Sequence, residues 1–206
     1  MNGIKASAML EECGLKYEAH PISFASKDQR TPEFLSLNPN NKIPAIIDPK
    51  GPGGIPLALW ESGAILIYLA EKTKRFLSGD PAIRYETLQW LMWQTGGVGP
   101  MFAQFGFFFK NAGKDWGDRR PMERYRDETR RLLGVLEQRL DGRTYIMGDE
   151  YSIADIAVWP SVRTLDAVYE GSEELGLRSF TRVNAWLSLC TERPASKIAV
   201  NTPPRD

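Results

Sequence analysis

Strand-forming patterns stop at about residue 77 of this 206-residue chain, and everything beyond that point reads as helix. A chain divided in this way predicts a small α/β domain, residues 1–77, followed by an all-helical domain, residues 78–206. In the first part, Ala8, Met9 and Leu10 stand beside Glu11 and Glu12 in an amphipathic segment, and Gly14 stops that helix as its C′ residue. Tyr17 to Ile22 alternates and reads as a strand, placed at an edge by Pro21. Thr31-Pro32-Glu33 opens a short helix. Ile43–Ile47 and Leu57–Trp60 are two short strands joined by the breakers 49–54 into a hairpin, and Ser62 caps the helix that follows. In the second part, Asp80-Pro81 starts a long helix and the glycines before Pro100 bend or break it. Residues 121–140 are charged on one face and apolar on the other. Ser152-Ile153-Ala154-Asp155 is a capping box, with Tyr151 and Ile156 as its hydrophobic staple. Val183 to Cys190 reads as the last helix, ended at Arg193-Pro194.

Composition then narrows the function. Lys+Arg and Asp+Glu are both 26, so the neutral chain has no field to hold nucleic acid or an anionic membrane. The apolar run from Phe105 to Phe109 is far short of the ~20 residues that span a bilayer. Glu11 and Glu12 near the start argue against a signal peptide. The one histidine, His20, would have to carry a histidine-based metal site or a serine triad alone, so no metal is expected. Cys13 and Cys190 form no close pair, which fits a reducing cytoplasm. Cys13 is expected as a small buried residue of the first helix. Thiol chemistry would then use a thiol brought by the substrate.

Two short segments suit a peptide-like ligand. Pro44, in Asn41-Lys42-Ile43-Pro44-Ala45, stands at the entrance to a strand, where a cis bond would turn the backbone N–H and C=O of Ile43 outward to an extended peptide. The same proline also fits an ordinary edge strand. Ser62 lies at a helix N-terminus, which attracts a carboxylate, and Glu61 beside it can accept from an ammonium. Together they suit an amino-acid head group, although a plain helix cap would look the same. The two features sit across one hairpin, on neighbouring edges of one small sheet.

The chain resembles the cytosolic glutathione transferases in Asn38-Pro39-Asn40-Asn41-Lys42-Ile43-Pro44-Ala45, in Leu59-Trp60-Glu61-Ser62-Gly63-Ala64-Ile65 and in Tyr68-Leu69-Ala70-Glu71-Lys72. Tyr151 to Ala157 is similar to the capping box of their helical domain. Residues 88–94 and 96–101 resemble the nu class, which includes glutathione-dependent disulfide-bond oxidoreductases. The resemblance covers nearly the whole chain and implies a thioredoxin-like domain followed by a helical one. It further implies a cytoplasmic homodimer with glutathione as co-substrate and a small electrophile or disulfide as second substrate.

By the same resemblance, Asn2, in Asn2-Gly3, holds the glutathione sulfur through its amide. An amide donor at a helix N-terminus favours a thiolate over a thiol, which supports that role physically. Gln29, Lys42, Ile43, Pro44, Glu61 and Ser62 would hold the rest of glutathione: Lys42 the glycine carboxylate, Ile43 the cysteinyl backbone, Glu61 and Ser62 the γ-glutamyl end. Arg124 matches an arginine that reaches the partner subunit's site, and otherwise reads as a solvated helix charge. Met101, Phe105 and Phe108 would wall an apolar second-substrate pocket, and otherwise read as helical core or dimer interface. A non-catalytic binding or regulatory protein of the same fold is the rival reading. The family has a strand ending in Thr-Pro ahead of Asn-Gly, where this chain has Met1. The expectation is that the natural protein begins earlier, because a sheet without that interior strand leaves backbone groups unpaired.

Overall fold

The computed structural model of the chain describes residues 1–203. Among the described residues, ten α-helices run in the order α1 (Asn2–Cys13), α2 (Pro32–Leu37), α3 (Ser62–Thr73), α4 (Pro81–Trp93), α5 (Gly99–Phe109), α6 (Arg120–Arg139), α7 (Ile153–Ala167), α8 (Ser172–Leu175), α9 (Thr181–Glu192) and α10 (Pro194–Ala199). The strands β1 (Ala45–Asp48) and β2 (Leu57–Trp60) lie between α2 and α3. The described residues gather into two compact units, Asn2–Arg75 with residues 194–203, and Phe76–Arg193 with Met1.

In the first unit, α1 ends at Gly14, whose φ of +66° is the left-handed turn that a glycine adopts without a Cβ clash. β1 and β2 pair antiparallel, with Ala45 opposite Trp60 and Asp48 opposite Leu57. Gly51 is required in their connection, since a Cβ there would meet the Ile55 carbonyl oxygen at 2.6 Å. Ile65, Leu66, Leu69 and Ala70 of α3 and Ala8 and Met9 of α1 form the core between these two helices. Asp48 ties the hairpin to α3: the Tyr68 hydroxyl donates to it at 2.6 Å and the Lys72 ammonium donates to the same oxygen.

Three local readings change here. Tyr17–Ile22 is not a strand. A strand needs a hydrogen-bonding neighbour; the described sheet has two strands, paired to each other, and Pro21 has no N–H to offer. The first strand begins at Ala45 rather than Ile43, because Pro44 cannot donate to the ladder. Pro194 ends α9 but also opens α10, in the N1 position that proline suits, and α10 packs on α1. The C-terminal helix thus belongs to the first unit, where the sequence reading puts it in the helical domain.

In the second unit, Asp80 caps α4 by accepting from the Ile83 N–H at 3.0 Å, with Pro81 at N1. Gly96 and Gly97 are absorbed in a π-helical turn, Gln94–Val98, that links α4 to α5, and Gly99 is the first residue of α5. Gly106 lets the Tyr169 ring lie against α5, since a Cβ would come within 2.2 Å of it. α7 is buried along most of its length and carries Trp159 at the centre. The capping box forms as read: the Ser152 hydroxyl accepts from the Ala154 N–H, and Asp155 accepts from the Ser152 N–H at 3.0 Å. No helix among the described residues is long and apolar enough to cross a membrane.

Candidate active site

The candidate residues of the first unit stand at the start of α1, in the turn before α2, in the loop before β1 and at the junction of β2 with α3. Asn2 is the first residue of α1 and is exposed, so its amide stands among N–H groups that have no intrahelical acceptor. A Cβ placed on Gly3 would lie 3.7 Å from Cδ1 of Ile43, so Ile43 rests on the first turn of α1. The Ile43–Pro44 peptide is cis. Ahead of it, the Asn38 side chain folds the loop by donating to the Lys42 carbonyl at 2.7 Å and accepting from the Asn40 N–H at 2.9 Å. Lys42 itself is exposed.

Glu61 closes β2 with φ +67° and ψ 114°, a backbone state that costs a non-glycine residue about 1–3 kcal/mol. Its carbonyl accepts from the Ile65 N–H, so Glu61, not Ser62, occupies the N-cap position. The Glu61 carboxylate caps nothing and is exposed, and Ser62 is a buried first helical residue. A helix N-terminus without a side-chain cap keeps its N–H groups for a ligand carboxylate. Gln29, in a short 3-10 turn before α2, is buried, and its Oε1 has no partner among the described residues. A buried carbonyl left unpaired costs free energy unless a ligand supplies the donor.

Lys5 is the residue that sequence reasoning passed over. It is 2% exposed on the inner face of α1, and burial pulls its ammonium down to about 7, against the pull of Glu61 in the other direction. The signal was present: Lys5 shares a helix face with Ala8 and Met9 at i+3 and i+4, which are core positions.

The helical unit holds the remaining candidates. Arg124 is exposed on α6, where it helps Arg131 hold the Glu128 carboxyl below its ordinary range. Phe105 is fully buried and stacks on Phe109 at 4.9 Å, so it is core and not the wall of an open pocket. Its place is fixed by Gly171, where any Cβ would crowd the Phe105 ring. Met101 is half-buried. Phe108 stacks on Tyr125 at 5.5 Å and meets the edge of Trp116 at 5.4 Å, with Trp116 exposed. A separate concavity of about 470 Å³, floored by Leu133, Val162, Val183 and Leu187, holds none of the expected site residues. No cluster of three metal-ligating side chains occurs among the described residues.

The arrangement suits an extended, charged ligand with an anion at the α1 N-terminus and an ammonium at Glu61. Residues 1–71 match the glutathione S-transferase N-terminal domain, and residues 101–188 match the C-terminal domain. Disulfide-bond oxidoreductase YfcG of Escherichia coli is 44% identical over 196 residues, 95% of this chain and 88% of that protein. The chain belongs to the glutathione S-transferase family. Two solved transferases match this one over almost its full length. The Pseudomonas putida enzyme, crystallised with one glutathione disulfide per subunit, is 56% identical with a TM-score of 0.96, covering 98% of this chain and 87% of its own. The Burkholderia graminis enzyme, with two glutathione molecules per subunit, is 57% identical with a TM-score of 0.98, covering 100% and 85%. The transferase fold expected from the sequence, a thioredoxin-like domain and a helical domain, is the fold found.

Proposed function

We propose that this transferase binds glutathione, or its disulfide, and either adds the thiolate to a small electrophile or reduces a small disulfide. The observation that carries the reading is the meeting of Asn2-Gly3 with Ile43 at the start of α1, on the same unit as Glu61 and Ser62 at the start of α3. Relatives of this chain bind glutathione with the same fold. Asn2 donates its amide hydrogen to the sulfur, Ile43 pairs with the cysteinyl backbone beside Pro44, Lys42 meets the glycine carboxylate, and Glu61, Ser62 and Gln29 hold the γ-glutamyl end. In disulfide reduction the glutathione thiolate attacks one sulfur and expels the other as a thiolate. A second glutathione thiolate then attacks the mixed disulfide, yielding glutathione disulfide and the second product thiol. The protein supplies position and charge stabilisation, and glutathione supplies the nucleophile.

Met101 and Phe108, with Trp116 added, offer the apolar surface for the second substrate. The protein works as a homodimer in the cytoplasm, with Arg124 serving the partner's site. Ile83, Tyr85 and Met92 stand 47%, 68% and 52% exposed on α4, an apolar cost that a partner subunit removes. Steady-state turnover with glutathione and a small dialkyl disulfide tests the reading. Turnover that falls about ten- to a hundred-fold in Asn2→Ala supports it, on the scale of one lost anion donor. Saturable glutathione binding without turnover of any disulfide or electrophile would instead favour the non-catalytic alternative.

A further inference from the structure

The concavity of about 470 Å³ in the helical unit is lined by α6, α7, α9 and the segment 172–180 that leads from α7 to α9. A hollow of this size exceeds a water's share of roughly 30 Å³ many times over and falls in the range of about 300–1,000 Å³ that small-molecule sites occupy. Its lining is mostly apolar: Leu133, Val162 and Val183 are buried, and Leu177, Phe180 and Leu187 are half-buried around them. The segment over it is tied to all three helices. Arg130 of α6 donates to the Leu175 carbonyl at 3.1 Å, the Asn184 amide of α9 donates to the Leu177 carbonyl at 2.9 Å, and the Ser172 hydroxyl donates to Oδ1 of Asp166 on α7. Gly176 turns the chain between these ties with φ +62°. The hollow is therefore formed in advance, and a ligand need not order its wall.

The polar groups of the lining are not alike. Ser172, Asn184 and Asp166 take part in the ties just described. Arg178, exposed in the 3-10 turn Leu177–Ser179, makes no hydrogen bond or ion pair with any described residue. We propose that this concavity is a second ligand site of the protein, which takes a small aliphatic carboxylate with its chain on the apolar lining and its carboxylate on the Arg178 guanidinium. The sign of the ligand's charge follows from the rim: the Asp166 carboxylate already holds a donor, whereas the planar Arg178 fork is unengaged and fits the two oxygens of a carboxylate. An aliphatic chain suits a lining in which five of the six apolar side chains are aliphatic, since burial of its surface drives binding in proportion to area. The charge stays at the exposed rim, so binding does not take an ion out of water. The site shares no residue with the proposed glutathione site and does not depend on that reading.

Equilibrium dialysis with octanoate, and with 1-octanol as its uncharged counterpart, tests this on the full chain at neutral pH. The native protein is expected to bind octanoate saturably, at one site per chain, and to keep that binding in the presence of saturating S-hexylglutathione. Arg178→Met, a change at an exposed side chain, is expected to weaken octanoate by about three- to ten-fold and to leave 1-octanol unchanged, on the scale of a charge-assisted contact at a solvated rim. Leu187→Trp, which fills the hollow, is expected to abolish the binding of both. Absence of saturable octanoate binding, equal octanoate affinity in the native protein and Arg178→Met, or displacement of octanoate by S-hexylglutathione overturns the proposal and leaves the glutathione reading standing.

Discussion

The indole Nε1 of Trp186 donates to Oδ1 of Asp155 at 2.9 Å, and neither side chain reaches solvent. The same oxygen accepts from the Ile146 N–H at 2.9 Å, while Oδ2 accepts from the N–H and hydroxyl of Ser152, both at 3.0 Å. Burial pushes the Asp155 carboxyl up, and these donors oppose the push. One residue thus joins the start of α7, the turn before it and α9. Asp155→Ala would orphan several buried donors at once, each worth about 1–3 kcal/mol, without full additivity. The expected loss in chemical denaturation is about 3–5 kcal/mol. A loss under about 1 kcal/mol would show that solvent or a rearranged turn satisfies the donors.

Asp48 gives an acid limit. Hydrogen bonding from Lys72 and Tyr68 holds its carboxyl down at about 2, below the ordinary value of 3.8. A carboxyl depressed in the folded state stabilises above its unfolded value, and that contribution fades as pH falls from near 4 through about 2. Asp48→Asn should therefore destabilise at neutral pH and show a weaker decline between pH 4 and pH 2. A parallel decline in both proteins would locate acid sensitivity elsewhere.

Lys5 gives the opposite sign. Its folded value of about 7 lies below the ordinary 10.5, so between these values the unfolded chain binds the additional proton. Its cost to stability is full below pH 7 and is relieved as pH rises toward 10.5. Lys5→Met should raise the melting temperature most at pH 6 and progressively less at pH 8 and pH 9.5. A constant difference across that range would mean that Lys5 keeps an ordinary affinity for its proton.

Arg124 tests the partner-serving role. Arg124→Ala should leave the protein's sedimentation unchanged and weaken glutathione binding by about ten- to a hundred-fold, on the scale of a charge-assisted hydrogen bond. Native affinity in the variant would reduce Arg124 to a solvated helix charge near Glu128.

Local signals with short reach were legible in the sequence. Gly14, Asp80-Pro81 and Ser152 through Asp155 each specify their element through neighbours within four residues, and each is where it was read. Tyr17–Ile22 failed because a strand exists only with a partner across space, which alternation cannot supply. Ser62 was read as the cap because serine suits that position, but the positive φ at Glu61 moves the cap one residue back. Phe105 and Phe108 look alike in a run of aromatics, and only packing separates the buried core ring from the one stacked on Tyr125. Lys5 was hidden by its charge, since lysine is read as surface unless its helix face is traced.

The central claim is that Asn2 at the start of α1 stabilises a glutathione thiolate. A pH titration of the ultraviolet thiolate absorbance of bound glutathione addresses it most directly, in the native protein and in Asn2→Ala. The account predicts a thiol that ionises about one to two units below its free value of ~8.5 in the native complex, and that returns most of the way in Asn2→Ala. A thiol that titrates at its free value in the native complex, or identically in both proteins, would contradict it.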